Sequence, residues 1–217
     1  MRQKFQNLET QIQLPSYCAM NGKFHSPKKV NRWKGSQRRI GITGGIASGK
    51  SSIGEFLKNT KGLAIIDADI FARETLLPGG KITKIVIERY GDKVTNDRVS
   101  NMQSINRSAL AQIIFSDTNE KLWLEQTIHP VVKEKIEEEL KKFKELSTII
   151  LIIPLLYEAK LTHLCSEIWF VNCTKKQQLK RLVERDKCSI KEAMAKINSQ
   201  WSMQIKRKLS DVIIDNS

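Results

Sequence analysis

In the segment GITGGIASGKSS, residues 41–52, four residues separate Gly44 from the triplet Gly49-Lys50-Ser51. This is the spacing G-x-x-x-x-G-K-[ST], whose parts suit the holding of a nucleoside triphosphate. Glycine permits turns and close approaches that a Cβ obstructs, so successive N–H groups can converge on phosphate oxygens at a helix N-terminus. The predicted cradle covers Gly44, Gly45, Ile46, Ala47, Ser48, Gly49, Lys50, Ser51 and Ser52. Lys50 is expected to reach the β- and γ-phosphates, and the Ser51 hydroxyl to ligand Mg²⁺.

A phosphate cradle does not name the group that receives the phosphate. The chain has no N-K-x-D and no D-x-x-G, which argues against a GTPase, and IILII runs into Pro154 where a motor ATPase would place a carboxylate. The nearest acids on a strand end are Asp67 and Asp69, in IIDADIFAR. Two apart along an extended stretch, they would point to one side. One would orient metal-bound water and the other accept a proton from an acceptor hydroxyl. The alternative is that Asp67 caps the next helix and Asp69 is solvated. Arg181 and Arg185, four apart on a helical pattern, would meet the charge of the migrating phosphoryl group, or else lie on an ordinary exposed surface.

These residues need elements that bring them together. From Arg39 onward, short β-branched runs alternate with longer helical patterns, the mark of βαβ units and of an α/β fold with a parallel sheet. Five strands are predicted: RIGITG (39–44), LAIID (63–67), TIILII (148–153), EIWFVN (167–172) and DVIID (211–215). Their nearly continuous apolar character fits strands buried on both faces. Residues of about 70–147 are too many for one crossover helix and are expected to form a helical insert. Within it, KLWLEQTIHPVVKEKIEEELKKFKEL is one long helix or two, interrupted near Pro130. Residues of about 175–208 read as a very basic helix pair.

The chain of 217 residues is long enough for one well-buried core. Its net charge of +14 is uneven: residues 1–39 carry nine Lys/Arg against the single acid Glu9. Residues 1–38 have no sustained period and are expected to be a mobile basic extension of a domain over 39–217, with a transit peptide or an upstream start as alternatives. Cys18, Cys165, Cys173 and Cys188 form no C-x-x-C pair, so a disulfide scaffold and a zinc site are both disfavoured, and a cytoplasmic location is the simplest reading. The longest apolar run, IILIIPLLY (149–157), is far below the ~18–20 residues that span a bilayer. No membrane partner is expected.

Taken in order, GITGGIASGKS, IIDADIFAR, INRSALAQIIF, LEQTIHPVV, IIPLLYE, QLKRLVERD, AMAKINSQ and DVIIDNS resemble the dephospho-CoA kinase family from about Ile40 to Ser217. The resemblance implies transfer of the ATP γ-phosphate to the ribose 3′-hydroxyl of dephospho-CoA. It implies a P-loop kinase core with a five-stranded parallel sheet, a helical acceptor-binding insert and a helical lid. It makes Asp69 the base facing the acceptor, and Arg181 a lid arginine on the phosphates, with Arg185 beside it. Arg73, Arg107 and His129 fall on the acceptor side, PLLYE lines the cleft, and Asn216 lies near the adenine. ATP and Mg²⁺ are the implied cofactors, and ATP and dephospho-CoA the implied partners.

The chain departs from the family pattern in three places. Residues 1–38 are additional, Ala47 stands where many members have glycine, and members commonly continue past the position of Ser217 into a final helix. Alanine at 47 is expected to be tolerated if its φ is negative. Two other readings compete: a nucleoside or nucleotide kinase on the same core, and a nucleic-acid binder using the basic leader. The dense basic part of the leader, from Lys23 onward, interleaves Phe24 and Trp33 as stacking aromatics and no others, so no nucleic-acid partner is expected.

Overall fold

The computed structural model describes residues 31–99 and 102–217. The part of the predicted extension before Asn31 lies outside the described residues. The phosphate loop joins β1 (Arg38–Gly44) to α1 (Lys50–Lys61), and β2 (Ala64–Asp67) follows. Next come α2 (Ala68–Glu74), α3 (Lys81–Tyr90), the strands β3 (Thr95–Val99) and β4 (Met102–Ile105), α4 (Arg107–Ser116) and α5 (Thr118–Lys142). The chain returns to the sheet with β5 (Thr148–Ile152) and β6 (Glu167–Asn172), then runs through α6 (Lys175–Asp186), α7 (Ile190–Asn198) and α8 (Met203–Lys208) into β7 (Val212–Asp215).

The five expected strands form one parallel sheet in the order β2-β5-β1-β6-β7. β5 shows why its run is apolar throughout. Ile149, Leu151 and Ile153 join the core that holds Leu124, Ile128, Val132, Ile136 and Leu140, spaced by four along α5. Their neighbours point to the other face, where Ile152 meets α1 so closely that a Cβ at Gly54 would lie 2.4 Å from its Cδ1.

Three expectations about the segments between strands need correction. The insert is not wholly helical, because β3 and β4 pair antiparallel, with Thr95 opposite Ile105. Pro130 does not interrupt α5; it sits on the exposed side, where water can satisfy the carbonyl one turn back, while the buried stripe continues past it. The basic pair is three helices, since Lys187 turns left-handed at φ 49° after α6, and Ser202 caps α8 by accepting from the Ile205 N–H.

Residues 31–37 pack where the extension was expected to be mobile. Trp33 N–H donates to Cys165 O at 2.9 Å, and Arg32 pairs with Asp211 at 3.2 Å. The buried Gln37 donates from Nε2 to Phe143 O and Leu146 O, at 2.8 and 2.9 Å. These partners precede β5, β6 and β7, so the segment crosses the amino-terminal edge of the sheet, away from the phosphate loop. No helix among the described residues is long and apolar enough to cross a membrane.

Candidate active site

The site lies at the carboxyl ends of the strands, where β1 ends at Gly44, β2 at Asp67 and β5 just before Ile153 and Pro154. A polar cleft of ≈ 460 Å³ is lined by Ile46, Ala47, Gly49, Lys50, Ser51 and Ser52 of the loop, by Asp69 and Arg73 of α2, and by Arg181 and Arg185 of α6. A mostly apolar cavity of ≈ 270 Å³, whose walls include Ile114, Leu124, Ile128 and His129, shares Ile46, Asp69, Pro154, Leu155 and Gln200 with that cleft. Asp69 thus stands on the wall between a place for phosphates and a place for an apolar-bodied molecule.

Lys50 is buried, and its ammonium donates to Gly45 O at 2.8 Å and Gly44 O at 3.2 Å. Burial pulls its pKa down to about 8, opposed by the charge of Asp69 and reinforced by Lys206 and Arg185. Arg181 donates from Nη2 to Asn216 O at 3.0 Å, while its Nη1 is buried with no partner among the described residues. A guanidinium nitrogen shut away without an acceptor is a site that an anion would complete.

Asp67 and Asp69 do not lie along one extended stretch. The strand ends at Asp67, whose Oδ1 accepts from the Asp69 N–H at 2.9 Å and caps α2. Desolvation raises the Asp67 pKa. The capping reading therefore holds for Asp67, and its cap leaves Asp69 in the first helical turn, exposed and facing the cleft.

Within the loop, Gly49 has φ 100°, and a Cβ there would come within 2.1 Å of Asn216 Nδ2, so two constraints favour glycine. Ala47 has φ 56°, so the condition of a negative angle, under which alanine would be tolerated, is not met. A left-handed alanine costs about 1–2 kcal/mol, so other contacts must hold the loop in this shape. The Ile46 peptide groups supply them: Ile46 N–H donates to Gln200 Oε1 at 2.8 Å, and Ile46 O accepts from Gln178 Nε2 at 2.7 Å. Beside them, the Gly45 N–H points at Met203 Sδ, 3.0 Å away.

Other expected residues are placed differently. Arg73 faces the phosphate cleft, not the apolar cavity, and Arg107 Nη2 donates to Arg73 O at 3.0 Å. Asn216 sits behind the loop, donating from Nδ2 to Ser48 O at 2.8 Å. Gly44, Gly45 and Ser48 are buried as the loop's support. His129 lines the apolar cavity, and burial lowers its pKa against the opposing charges of Glu125 and Glu158. Sequence reasoning missed Gln178, Gln200, Met203 and Lys206; AMAKINSQ carried Gln200 in view, but nothing in the string tells that it folds back onto residue 46.

The family model described as dephospho-CoA kinase matches residues 38–217. The chain belongs to the dephospho-CoA kinase family. It is similar to the dephospho-CoA kinase of a Prochlorococcus marinus strain, 54% identical over 186 residues, covering 86% of this chain and 87% of that one. The dephospho-CoA kinase of a Synechococcus strain is 49% identical, over 83% and 86% of the two chains. Among solved structures, TT1252 from Thermus thermophilus matches with a TM-score of 0.68 at 27% identity, covering 84% of this chain and 90% of that one. The dephospho-CoA kinase from Campylobacter jejuni matches with a TM-score of 0.52, also at 27% identity, over 82% and 88%.

Proposed function

We propose that the protein transfers the γ-phosphoryl group of ATP to the ribose 3′-hydroxyl of dephospho-CoA, giving CoA and ADP. Family membership supports the reaction, and one structural observation carries its assignment to this cleft: Asp69 lies on the wall shared by the polar cleft and the apolar cavity. In this reading the triphosphate lies over the loop from Ile46 to Ser52, and the acceptor enters from the cavity beside His129.

Asp69 receives the hydroxyl proton as the new O–P bond forms and the β,γ-bridging bond breaks. Lys50 leaves the Gly44 and Gly45 carbonyls for the phosphates. Arg181, already short of one acceptor, and Arg185 meet the charge from the α6 side, so that α6 to α8 serve as a lid. Arg73 faces the phosphates from α2, and Arg107 steadies that part of α2 by donating to the Arg73 carbonyl. Oxygen donors at this edge, the Ser51 hydroxyl above all, suit Mg²⁺, and among the described residues no cluster of His, Cys, Asp and Glu would draw a softer metal. Mg²⁺ bound there would neutralise phosphate charge. The proposed location is the cytoplasm, which suits the free thiols of Cys165, Cys173 and Cys188.

Coupled ADP release with dephospho-CoA, adenosine, AMP and shikimate side by side tests the reading. Turnover is expected with dephospho-CoA. Turnover only with AMP or a nucleoside would replace it with the sibling kinase.

A further inference from the structure

The strained Ala47 adjoins the one loop residue whose N–H and C=O are both taken by side chains from the α6–α8 segment. We propose that Gln178 and Gln200 are positioning residues of the phosphoryl transfer, bracketing Ile46 so that the loop stays in its phosphate-receiving shape despite a left-handed alanine. Neither needs to touch a reacting atom. Gln178 is almost fully buried, and α6 carries it alongside Arg181. Gln200 is anchored from the other side, because the next residue, Trp201, donates its N–H to Glu158 Oε1 at 3.1 Å, and Glu158 pairs with the buried Lys206.

The geometry also states when these contacts matter. A loop that has lost one bracket divides its population between receiving and non-receiving shapes, and ATP then binds more weakly by the fraction lost. Glycine at 47 carries no left-handed penalty, so its loop would stay in the receiving shape with fewer outside contacts. The two glutamines and Ala47 are therefore coupled.

The test uses the full chain and steady-state kinetics with ATP and dephospho-CoA, and it rests on the kinase reading above. Wild-type turnover in the same assay separates failure of that reading from failure of this one. Gln200→Met removes the acceptor at similar length, and Gln178→Glu removes the donor. Each is expected to raise KM for ATP by up to ~10-fold, the scale of one lost hydrogen bond, with KM for the acceptor unchanged. In the Ala47→Gly background the same two changes are expected to raise it by less than about threefold. An equal penalty in both backgrounds would overturn the coupling. An unchanged KM for ATP, or an equal rise in KM for the acceptor, would overturn the positioning role.

Discussion

Glu158 Oε1 stands 2.6 Å from Lys206 Nζ, and the lysine side chain is wholly closed to solvent. Lys206 also donates to Pro154 O at 3.0 Å, tying α8 to the loop that lines both cavities. Burial lowers the Lys206 pKa, and the Glu158 charge opposes that shift. Removing one partner of such a pair leaves an uncompensated buried charge. Lys206→Met is expected to cost about 3–5 kcal/mol in urea unfolding at pH 7, and adding Glu158→Gln to recover much of it. A single variant as stable as wild type would show the pair to be without net effect.

ATP binding should take up a proton at alkaline pH. Lys50 sits at about 8 when the cleft holds no phosphate, and a triphosphate beside it favours the charged form. Below pH 7 the lysine is charged before and after binding, so no proton moves. Above about 8 the lysine of the free protein is neutral and must gain one, so affinity falls as pH rises. The opposite sign governs the folding of the empty protein: the unfolded lysine, at 10.5, holds its proton where the folded one at about 8 has released it, so this group's destabilising contribution fades as pH rises from about 8 to 10.5. Calorimetry at pH 8.5 in buffers of different ionisation enthalpy should show uptake by wild type and none by Lys50→Met.

Asp69 and Arg181 should separate in kinetics. Asp69→Asn is expected to lower kcat by about 10²–10⁴-fold with ATP affinity nearly kept, since a carboxamide cannot accept the proton. Arg181→Ala is expected to lose about 10²-fold or more, by the logic of cations at a transferring phosphoryl group. Rapid-quench measurement of the chemical step with saturating ATP reads both, and near-normal kcat in Asp69→Asn would remove it as the base.

The segment at the base of the sheet should matter for stability and not for turnover. Gln37→Ala deprives Phe143 O and Leu146 O of their donor and is expected to cost about 1–3 kcal/mol. That is a fall in Tm of roughly 2–4 °C per kcal/mol for a chain of this size. Thermal unfolding reads the loss, and kcat at 25 °C should be unchanged.

The strands and the loop were legible because their signals are local. RIGITG, TIILII and EIWFVN are buried on both faces through their middles and so are nearly continuous apolar runs there, and G-x-x-x-x-G-K-[ST] needs only a strand before it and a helix after it. Asp69 was named from its spacing to Asp67, though the geometry behind it is a helix cap and not a shared strand face. What the string hid depends on distant partners. Ala47 carries no mark of its φ, because the contacts that hold it come from Gln178 and Gln200, more than 130 residues away. Lys206 reads as one more cation in a basic run until Glu158 is seen beside it. Trp33 and Gln37 looked like leader because their partners are carbonyls, which have no sequence signature.

The strand order imposes a timetable on the ribosome. Arg38 of β1 pairs with Thr148, Ala64 of β2 pairs with Ile149, and the other neighbour of β1 begins at Glu167. Neither of the first two strands has a sheet partner until β5 has been made, roughly 5–20 s later at ordinary elongation rates. α3, α4 and α5 make local contacts and can form meanwhile, whereas the apolar β1 must wait uncovered. The central strand that carries the phosphate loop is thus made first and secured late, and it waits for a partner longer than any other strand of the sheet.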